Sequence, residues 1–176
     1  MKHKLFVLLI ICCSYYTLAA QSENDTIPQF LLRSSLPNFK VLITKEKIGK
    51  AASDSSWYTQ DSLPKNTFTV LVYFSPECSH CQLEAQQLRK YADSFSNAQF
   101  VWMSYSYSNT DLWNFYQKYE LNLCRNVVLG KILTYQIPAY FKVAFTPYIA
   151  VFNAQKQFVT EFRKGTTIEA LQKWLK

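Results

Sequence analysis

Few cysteines occur in this chain of 176 residues, and only three of the five, Cys78, Cys81 and Cys124, follow residue 20. Three cysteines make one pair and one spare thiol, so they do not form the disulfide framework of a small secreted scaffold. Apolar residues make up 49% of the chain and aromatic residues 16%, which is ample for a hydrophobic core. The fold therefore does not depend on disulfides.

Clustered basic residues are also missing. The 19 Lys and Arg outnumber the 12 Asp and Glu, giving a formal net charge of +7, but the cations are scattered along the chain. This distribution lacks the footprint of a nucleic-acid-binding surface and favours an ordinary solvated surface. Neither internal repeats nor low-complexity tracts are present, and the length suggests one domain, which we expect to be monomeric.

The N-terminal 20 residues have the pattern of an export signal: a basic start (residues 2–4), an apolar run (5–13) and small residues at its end (18–20). Cleavage near Ala20 leaves 17 basic and 12 acidic residues, a net charge of +5. Two alternatives remain. One is a membrane anchor, although the run is short of the roughly 20 residues that a spanning helix needs. The other is a lipoprotein attached at Cys12 or Cys13. All three predict an exported protein of the periplasm or cell envelope.

Residues 21–35 are predicted to be a loose lead-in and residues 36–176 to form the folded domain. Apolar patterns predict strands at Phe39–Thr44, Phe68–Phe74, Gln99–Tyr105, Tyr148–Phe152 and Gln157–Phe162, with a short strand or turn near Trp57-Tyr58. Helices are predicted from Ser79 to about Phe95, from a cap at Asn109 or Thr110 to about Leu121, from Leu129 to about Tyr135, and from Thr166 with Ile168, Leu171 and Trp174 inward. Strands that alternate with helices, followed by a hairpin and a helix, indicate an α/β sheet covered on both faces.

The most informative motif is Cys78-Ser79-His80-Cys81, which follows the apolar strand 68–74 and opens an amphipathic helix. A helix N-terminus carries partial positive charge and unpaired N–H groups, and both favour a thiolate. We therefore predict a redox-active pair, with Cys78 as the exposed attacking thiol and Cys81 as the buried resolving thiol. A zinc site and an inert disulfide are the alternatives, but zinc usually needs four ligands and only His80 and Cys124 remain as partners.

The segment Val70–Gln82, which contains both thiols, resembles the active-site region of the thioredoxin superfamily. The second hallmark of that family, a cis-proline facing the dithiol, is matched by Val143-Ala-Phe-Thr-Pro147. Three further features are similar to the exported TlpA/ResA branch. They are the long gap between the dithiol and Pro147, the early segment Pro37-Asn38-Phe39, and the position of Glu84 after Cys81. The resemblance covers residues 35–176. It implies a mixed central sheet flanked by helices on both faces, with a C-terminal β-hairpin and helix.

The resemblance also implies roles for individual residues. A cis bond at Pro147 turns the backbone of Thr146 toward the dithiol, where a partner peptide can pair with it as an added strand; a trans proline that starts a strand is the alternative. Simple thioredoxins carry a buried Asp where this chain has Val72. Glu84 is then the nearest carboxylate that could exchange protons with Cys81, provided that burial raises its pKa; a solvated Glu84 would have no such role.

Three further residues leave alternatives open. His80 lies between the thiols and is predicted to stabilise the Cys78 thiolate, although an exposed histidine without a role is also consistent with the sequence. Glu77 precedes Cys78, and its negative charge opposes thiolate formation. Cys124 is predicted to be a small buried filler, with a role as a partner thiol as the alternative.

The predicted function is an exported thiol–disulfide oxidoreductase, with reductase as the favoured direction. The resemblance implies that it acts on disulfide- or thiol-containing envelope proteins and that a membrane electron donor re-reduces it. We expect no cofactor beyond the Cys78–Cys81 disulfide. A thiol oxidase or disulfide isomerase on the same fold is the second hypothesis, and a non-enzymatic binding module is the third. A peroxiredoxin is disfavoured because the residues before Cys78 lack the Pro-x-x-x-Thr-x-x-Cys arrangement.

Overall fold

A computed structural model describes residues 27–44 and 56–176. The strands are β1 Lys40–Ile43, β2 Trp57–Thr59, β3 Phe68–Tyr73, β4 Ala98–Ser104, β5 Val127–Ile132, β6 Tyr148–Phe152 and β7 Phe158–Phe162. The α-helices are α1 Ser79–Tyr91, α2 Asn109–Lys118, α3 Gln136–Tyr140 and α4 Ile168–Gln172. Short 3-10 helices lie at Gln60–Ser62, Ala92–Phe95 and Leu121–Leu123. The predicted export signal, with Cys12 and Cys13, lies outside the described residues.

The strands form one mixed sheet in the order β2-β1-β5-β4-β3-β6-β7. The pairs β3–β4 and β4–β5 are parallel, whereas β1–β2, β1–β5, β3–β6 and β6–β7 are antiparallel. Strand β3 lies inside the sheet, and Val70, Leu71 and Val72 are all buried. An unbroken apolar run therefore becomes a strand that is covered on both faces, as predicted.

Helices cover both faces of the sheet. Side chains of β3 alternate between two cores: Val70 and Val72 pack with residues of α1, α2 and α4, whereas Leu71 packs on the opposite face with α3 and the N-terminal segment. Chain order also follows the prediction at the C-terminus, where the β6–β7 hairpin leads to α4. The predicted α/β fold class with a mixed central sheet is confirmed.

The predicted helix from Leu129 to about Tyr135 is wrong, because Val127–Ile132 forms strand β5 between β1 and β4. Its Val-Val-Leu start suits a pleated surface, and tertiary pairing decided between strand and helix for this short run. Gly130 permits the close approach of β1, since a Cβ at this position would lie 2.2 Å from the carbonyl oxygen of Leu42.

The predicted caps of two helices are also wrong. Ser108, rather than Asn109 or Thr110, caps α2, and its hydroxyl accepts from the N–H of Asp111 at 3.1 Å. Thr167, rather than Thr166, caps α4 by accepting from the N–H of Ala170 at 3.2 Å.

In addition, Trp174 was predicted to face the core but is 45% exposed. Leu175 is buried in the core instead. The helix α4 ends at Gln172, so the periodicity used to place Trp174 no longer applies beyond that residue.

The described part of the predicted loose lead-in, residues 27–35, packs on the domain. Leu31 is fully buried, and Ser35 forms a β-bridge with Gln157 of the β6–β7 hairpin. The next residue, Leu36, donates its N–H to the carbonyl oxygen of Lys156 at 2.7 Å. Isolated apolar residues in a polar segment gave no periodic signal from which this packing could be predicted. Within residues 27–44 and 56–176, every helix is too short or too polar to cross a bilayer.

Candidate active site

The dithiol lies where β3 gives way to α1. Cys78 occupies the N-cap position of α1, and its carbonyl oxygen accepts the N–H of Gln82 at 3.0 Å. The preceding loop is fixed by two hydrogen bonds, from the N–H of Cys78 to the carbonyl oxygen of Ser75 at 3.1 Å and from Nε2 of Gln82 to that of Pro76 at 2.9 Å. The motif therefore lies at the start of an amphipathic helix, as predicted.

The pKa of the Cys78 thiol is lowered. Burial opposes this shift, but it is outweighed by the backbone N–H of Cys81, the side chain of Thr146, the Cys81 thiol and the backbone N–H of His80, all of which stabilise the thiolate. Both N–H groups belong to the first turn of α1, whose dipole also favours negative charge. Cys78 is partly exposed, so its thiolate is accessible to a partner disulfide.

Cys81 differs from Cys78 in burial and in acidity. Its side chain is fully buried, and burial raises the pKa of its thiol to about 12, with a further increase from the neighbouring Cys78. The N–H of Ser75 acts in the opposite direction. Both thiols are free. Cys78 is thus partly exposed and Cys81 is buried, while their roles as attacking and resolving thiols stay a prediction.

Thr146 and Pro147 face the dithiol across the site. The peptide bond between them is cis, as the resemblance implies. The Cys78 thiol donates to the carbonyl oxygen of Thr146, with Sγ and O 3.3 Å apart. The loop before β6 therefore brings main-chain groups next to the sulfur of Cys78.

Glu84 lies one turn after Cys81 on the inner face of α1 and is only 8% exposed. Burial raises its pKa to about 7, partly offset by a hydrogen bond from the N–H of Thr166 to Oε2 at 3.1 Å. Apolar side chains account for the burial, because Glu84 lines a cavity of about 10 Å³ with Leu88, Trp102 and Ile168. Glu84 is therefore a buried carboxyl group with a raised pKa, one helical turn from Cys81. Its proton exchange with Cys81 stays a prediction.

Gly165 links the two halves of the site. It adopts φ +82°, and a Cβ here would lie 3.0 Å from Cγ of Pro147 and 3.2 Å from Oε2 of Glu84. The glycine therefore permits the left-handed backbone and the close approach of the β7–α4 loop to both residues.

We expect Gly165→Ala to lower the free energy of unfolding by about 1–2 kcal/mol because of its positive φ. The displaced Pro147 or Glu84 should also slow any disulfide exchange at the neighbouring dithiol. Urea unfolding and exchange rates measure the two effects. Gly165→Asn is the informative control, since asparagine tolerates the left-handed region but adds the same Cβ. Recovery of both stability and rate in the Asn variant would show that the Cβ contacts are unimportant.

The structure places the remaining predicted residues as follows. His80 is exposed and lines the surface cleft beside the dithiol, while its backbone N–H is among the groups that stabilise the Cys78 thiolate. Cys124 is 7% exposed within the core beneath α1 and α2, and burial raises the pKa of its thiol. This environment is that of a small buried filler.

Sequence reasoning missed residues that tertiary packing brings to the site. The Tyr107 hydroxyl lies 2.7 Å from the Ser75 hydroxyl in the loop before Cys78, and Lys164 to Thr166 approach from the C-terminal end of β7. Gly165 offered a signal, because it is one of only three glycines in the chain and lies between a strand and a helix. In the described part of the chain, no three His, Cys, Asp or Glu side chains are grouped as metal ligands would be.

Solved structures with the same fold come from several bacteria. A secreted Mycobacterium tuberculosis disulfide oxidoreductase homologous to E. coli DsbE is 18% identical, with a TM-score of 0.60, and the match covers 84% of this chain and 98% of that one. The thioredoxin domain of a Bacteroides vulgatus thiol-disulfide oxidoreductase is 11% identical, with a TM-score of 0.65 and coverage of 82% and 98%. Mycobacterium tuberculosis AhpC is 13% identical, with a TM-score of 0.64 and coverage of 84% and 92%.

No protein-family model matches the sequence, and no curated protein matches it either. At identities this low, the structural match shows the fold alone, and it extends over almost the whole length of each of these three solved chains. The resemblance that was stated from the sequence is therefore confirmed at the level of structure: this chain has the thioredoxin-like fold.

Proposed function

We propose that this protein is an exported thiol–disulfide oxidoreductase that acts on envelope proteins. The observation that carries the proposal is the contrast between its two thiols. Cys78 is accessible and has a lowered pKa, whereas Cys81, one turn along the same helix, is buried and has a pKa raised to about 12. An acidic, accessible thiol beside a buried, less acidic one is suited to capture and release of a partner by disulfide exchange.

In the reductive direction, the Cys78 thiolate attacks one sulfur of a partner disulfide. A bond forms between Cys78 and that sulfur, the partner's S–S bond breaks, and its second sulfur leaves as a thiolate that takes a proton from solvent. Thr146 lies beside the attacking sulfur, with its carbonyl oxygen 3.3 Å from Sγ, and positions the partner main chain. The product is a mixed disulfide on Cys78.

Cys81 then completes the reaction by attacking Cys78. The thiol of Cys81 must lose its proton first, and Glu84, with a pKa of about 7, is able to accept it near neutral pH. The Cys78–Cys81 bond forms, the mixed disulfide breaks, and the reduced partner leaves. Two electrons have passed from the dithiol to the partner, so the dithiol itself is the redox group and no further cofactor takes part.

Re-reduction requires two electrons from a donor, which we propose to be a dithiol protein of the membrane. Export is supported by the N-terminal signal pattern and by a fold match to a secreted disulfide oxidoreductase. The predicted N-terminal signal, which would be cleaved, lipidated or kept as a membrane anchor, lies outside the described residues.

A thiol oxidase is the second candidate, and one observation favours it. Groups that stabilise the Cys78 thiolate also stabilise the reduced dithiol, which makes the disulfide form more oxidising. The exposed carboxylate of Glu77, which precedes Cys78, acts against this, so the direction of electron flow depends on the balance.

The test is a redox titration of the full mature protein in glutathione buffers, combined with insulin reduction and oxidation of a reduced peptide. We expect a reversible two-electron transition between the dithiol and the Cys78–Cys81 disulfide. A reduction potential of about −270 mV supports the reductase, and one of about −120 mV supports the oxidase. Absence of a reversible disulfide, together with no activity in either assay, would leave only a binding module on this fold.

A further inference from the structure

We propose that the side chains of Tyr148, Glu161 and Arg163 form a clamp, the Tyr148 clamp, that positions Thr146 to bind partner polypeptides. This inference rests on the proposed exchange function and identifies residues that make the site selective for polypeptide disulfides over small ones. Tyr148 lies in the core on one face of the sheet, whereas Cys81 lies in the core on the other face. The clamp is therefore separated from the reacting sulfurs by the sheet and acts through the backbone.

Glu161 is the centre of the clamp. Its side chain is only 3% exposed, and both of its oxygens have partners. Oε2 accepts the hydroxyl of Tyr148, and Oε1 accepts Nε of Arg163 at 2.9 Å with Nη2 of the same guanidinium 2.7 Å away. Hydrogen bonds that involve a charged group are shorter and stronger than neutral ones. The carboxylate therefore holds the Tyr148 side chain to the end of β7.

The register of β6 and β7 brings Tyr148 and Glu161 together. Ala150 pairs with Glu161 in the antiparallel ladder. Because alternate side chains share a face, Tyr148, two residues before Ala150, is the diagonal neighbour of Glu161 on that face. Ala150 and Phe152 on the same face are apolar and fully buried. A buried carboxylate in such a core costs desolvation, so the clamp contributes a fixed position rather than extra stability.

The Tyr148 side chain is fixed at its ring as well as at its hydroxyl. It is buried and packs against the ring of Phe141, with the two centroids 5.3 Å apart. Burial raises the pKa of Tyr148, and the hydrogen bond to Glu161 raises it further. The hydroxyl therefore keeps its proton and remains a donor near neutral pH, where thiols exchange.

Two segments of the candidate active site start from the clamp. On one side, Thr146 lies two residues before Tyr148, and its carbonyl oxygen is 3.3 Å from Sγ of Cys78. On the other side, Gly165 lies two residues after Arg163 and forms a β-bridge with it. Because the clamp joins the two segments, it fixes the position of Thr146 relative to the β7–α4 loop.

Selectivity follows from what each kind of disulfide contacts. A polypeptide partner pairs with the main chain of Thr146 as an added strand while its disulfide lies at Cys78. A small disulfide reaches the sulfur of Cys78 but has no main chain to pair. Release of the clamp lets the loop before β6 shift, and misplacement of a binding group slows the reaction that depends on it. Loss of the clamp is therefore expected to slow exchange with polypeptides and to spare exchange with small disulfides.

The experiment uses the mature Cys81→Ser protein, in which Cys81 cannot resolve an adduct on Cys78, and two disulfides with the same leaving group. One is a short uncharged peptide with one cysteine joined to 2-mercaptoethanol, and the other is bis(2-hydroxyethyl) disulfide. In each case the Cys78 thiolate attacks a sulfur, the Cys78–sulfur bond forms, the original S–S bond breaks, and 2-mercaptoethanol leaves as its thiolate. Mass spectrometry of the adduct over a range of concentrations gives the limiting rate and the half-saturating concentration.

We expect Tyr148→Phe to lower the second-order rate constant for the peptide about tenfold, which is the scale of one lost hydrogen bond to a charged group. The loss should arise mainly from a higher half-saturating concentration, while the rate with the small disulfide stays nearly unchanged. Glu161→Gln should act in the same direction but less strongly. The double variant should be no slower than Tyr148→Phe alone, because the two side chains act as a unit.

Tyr116→Phe is the matched control. Tyr116 is also partly buried, and its hydroxyl donates to the carbonyl oxygen of Val127 at 2.9 Å, so this variant loses one hydrogen bond away from the clamp. We expect it to keep the ratio of peptide to small-disulfide rates that the Cys81→Ser protein shows. Urea unfolding of each variant measures any loss of stability separately from that ratio.

The same ratio in Tyr148→Phe as in Tyr116→Phe would overturn the inference, while formation of both adducts leaves the exchange function intact. Should Tyr148→Phe fail to fold, Glu161→Gln carries the same comparison, because it keeps the size of the side chain and an oxygen acceptor for Tyr148. If neither disulfide forms an adduct with Cys78 in the Cys81→Ser protein, the proposed function fails and the inference fails with it.

Discussion

Replacing Cys81 with serine is expected to leave partner proteins attached to Cys78, whereas Cys78→Ser should reduce exchange to the uncatalysed background. The first substitution removes the thiol that we propose resolves the mixed disulfide and keeps the accessible Cys78 thiol. The second removes the thiolate and keeps Cys81, whose burial and pKa of about 12 make it a poor nucleophile. Adducts are counted by non-reducing electrophoresis and mass spectrometry of envelope extracts that were incubated with each variant.

Cys124→Ser is the matched control for this experiment, because Cys124 is also buried and has a raised pKa but lies outside the motif. We expect this variant to release its partners at the wild-type rate. Adducts of similar abundance in the Cys78→Ser variant would contradict the assignment of the attacking thiol. Retained adducts in Cys124→Ser would instead assign Cys124 a part in resolution.

Glu84→Gln is expected to slow the resolving step by about a hundredfold near neutral pH, because a positioned general base contributes roughly that much or more. The first step should change little, since the groups that lower the pKa of Cys78 do not include Glu84. In the wild type, the rate of partner release should rise as pH passes through about 7 and Glu84 ionises. The variant should lack this inflection and follow hydroxide concentration alone.

Single-turnover release of a labelled peptide from the Cys78 mixed disulfide, measured between pH 5 and 9, separates the two steps. Glu169→Gln is the control, because Glu169 is an exposed glutamate in the first turn of α4. A Glu84→Gln profile that retains the wild-type inflection would assign the inflection to another group and leave Glu84 with a structural role only.

The same carboxyl group affects stability, and the sign follows from its raised pKa. Glu84 has a folded-state pKa of about 7 against an ordinary value of 4.5, so the folded state binds the proton more tightly than the unfolded state. Its contribution to stability is therefore fully present below about pH 4.5 and is lost as pH rises through 7. The shift corresponds to on the order of 3 kcal/mol, and the unfolding free energy of Glu84→Gln should lack this loss.

Much of the fold was predictable because its signals are local. The apolar run of β3 and the four-three spacing of Cys81, Ala85 and Leu88 on α1 each specify one element and its buried side. The strand β5 was not predictable in this way. Its six residues suit a strand or a helix, and pairing with β1 and β4 decided between them.

The dithiol motif was likewise available from the sequence, since two thiols three positions apart at a strand–helix junction have few other uses. The segment Lys164 to Thr166 was not. These residues lie more than 80 positions after Cys81 in the chain, and only the return of β7 and the start of α4 bring them to Glu84 and Pro147. Sequence separation of this kind carries no periodic signal.

The sequence by itself determined where the two neighbouring thiols lie and which strand and helix hold them, because these depend on neighbouring residues, apolar periodicity and the helix N-terminus. Only the tertiary structure decided how the two thiols differ. Burial raises the pKa of Cys81 and of Glu84, whereas the first turn of α1 and Thr146 lower that of Cys78. Burial and contacts between distant segments are properties of the packed chain, since desolvation exists only once other elements exclude water.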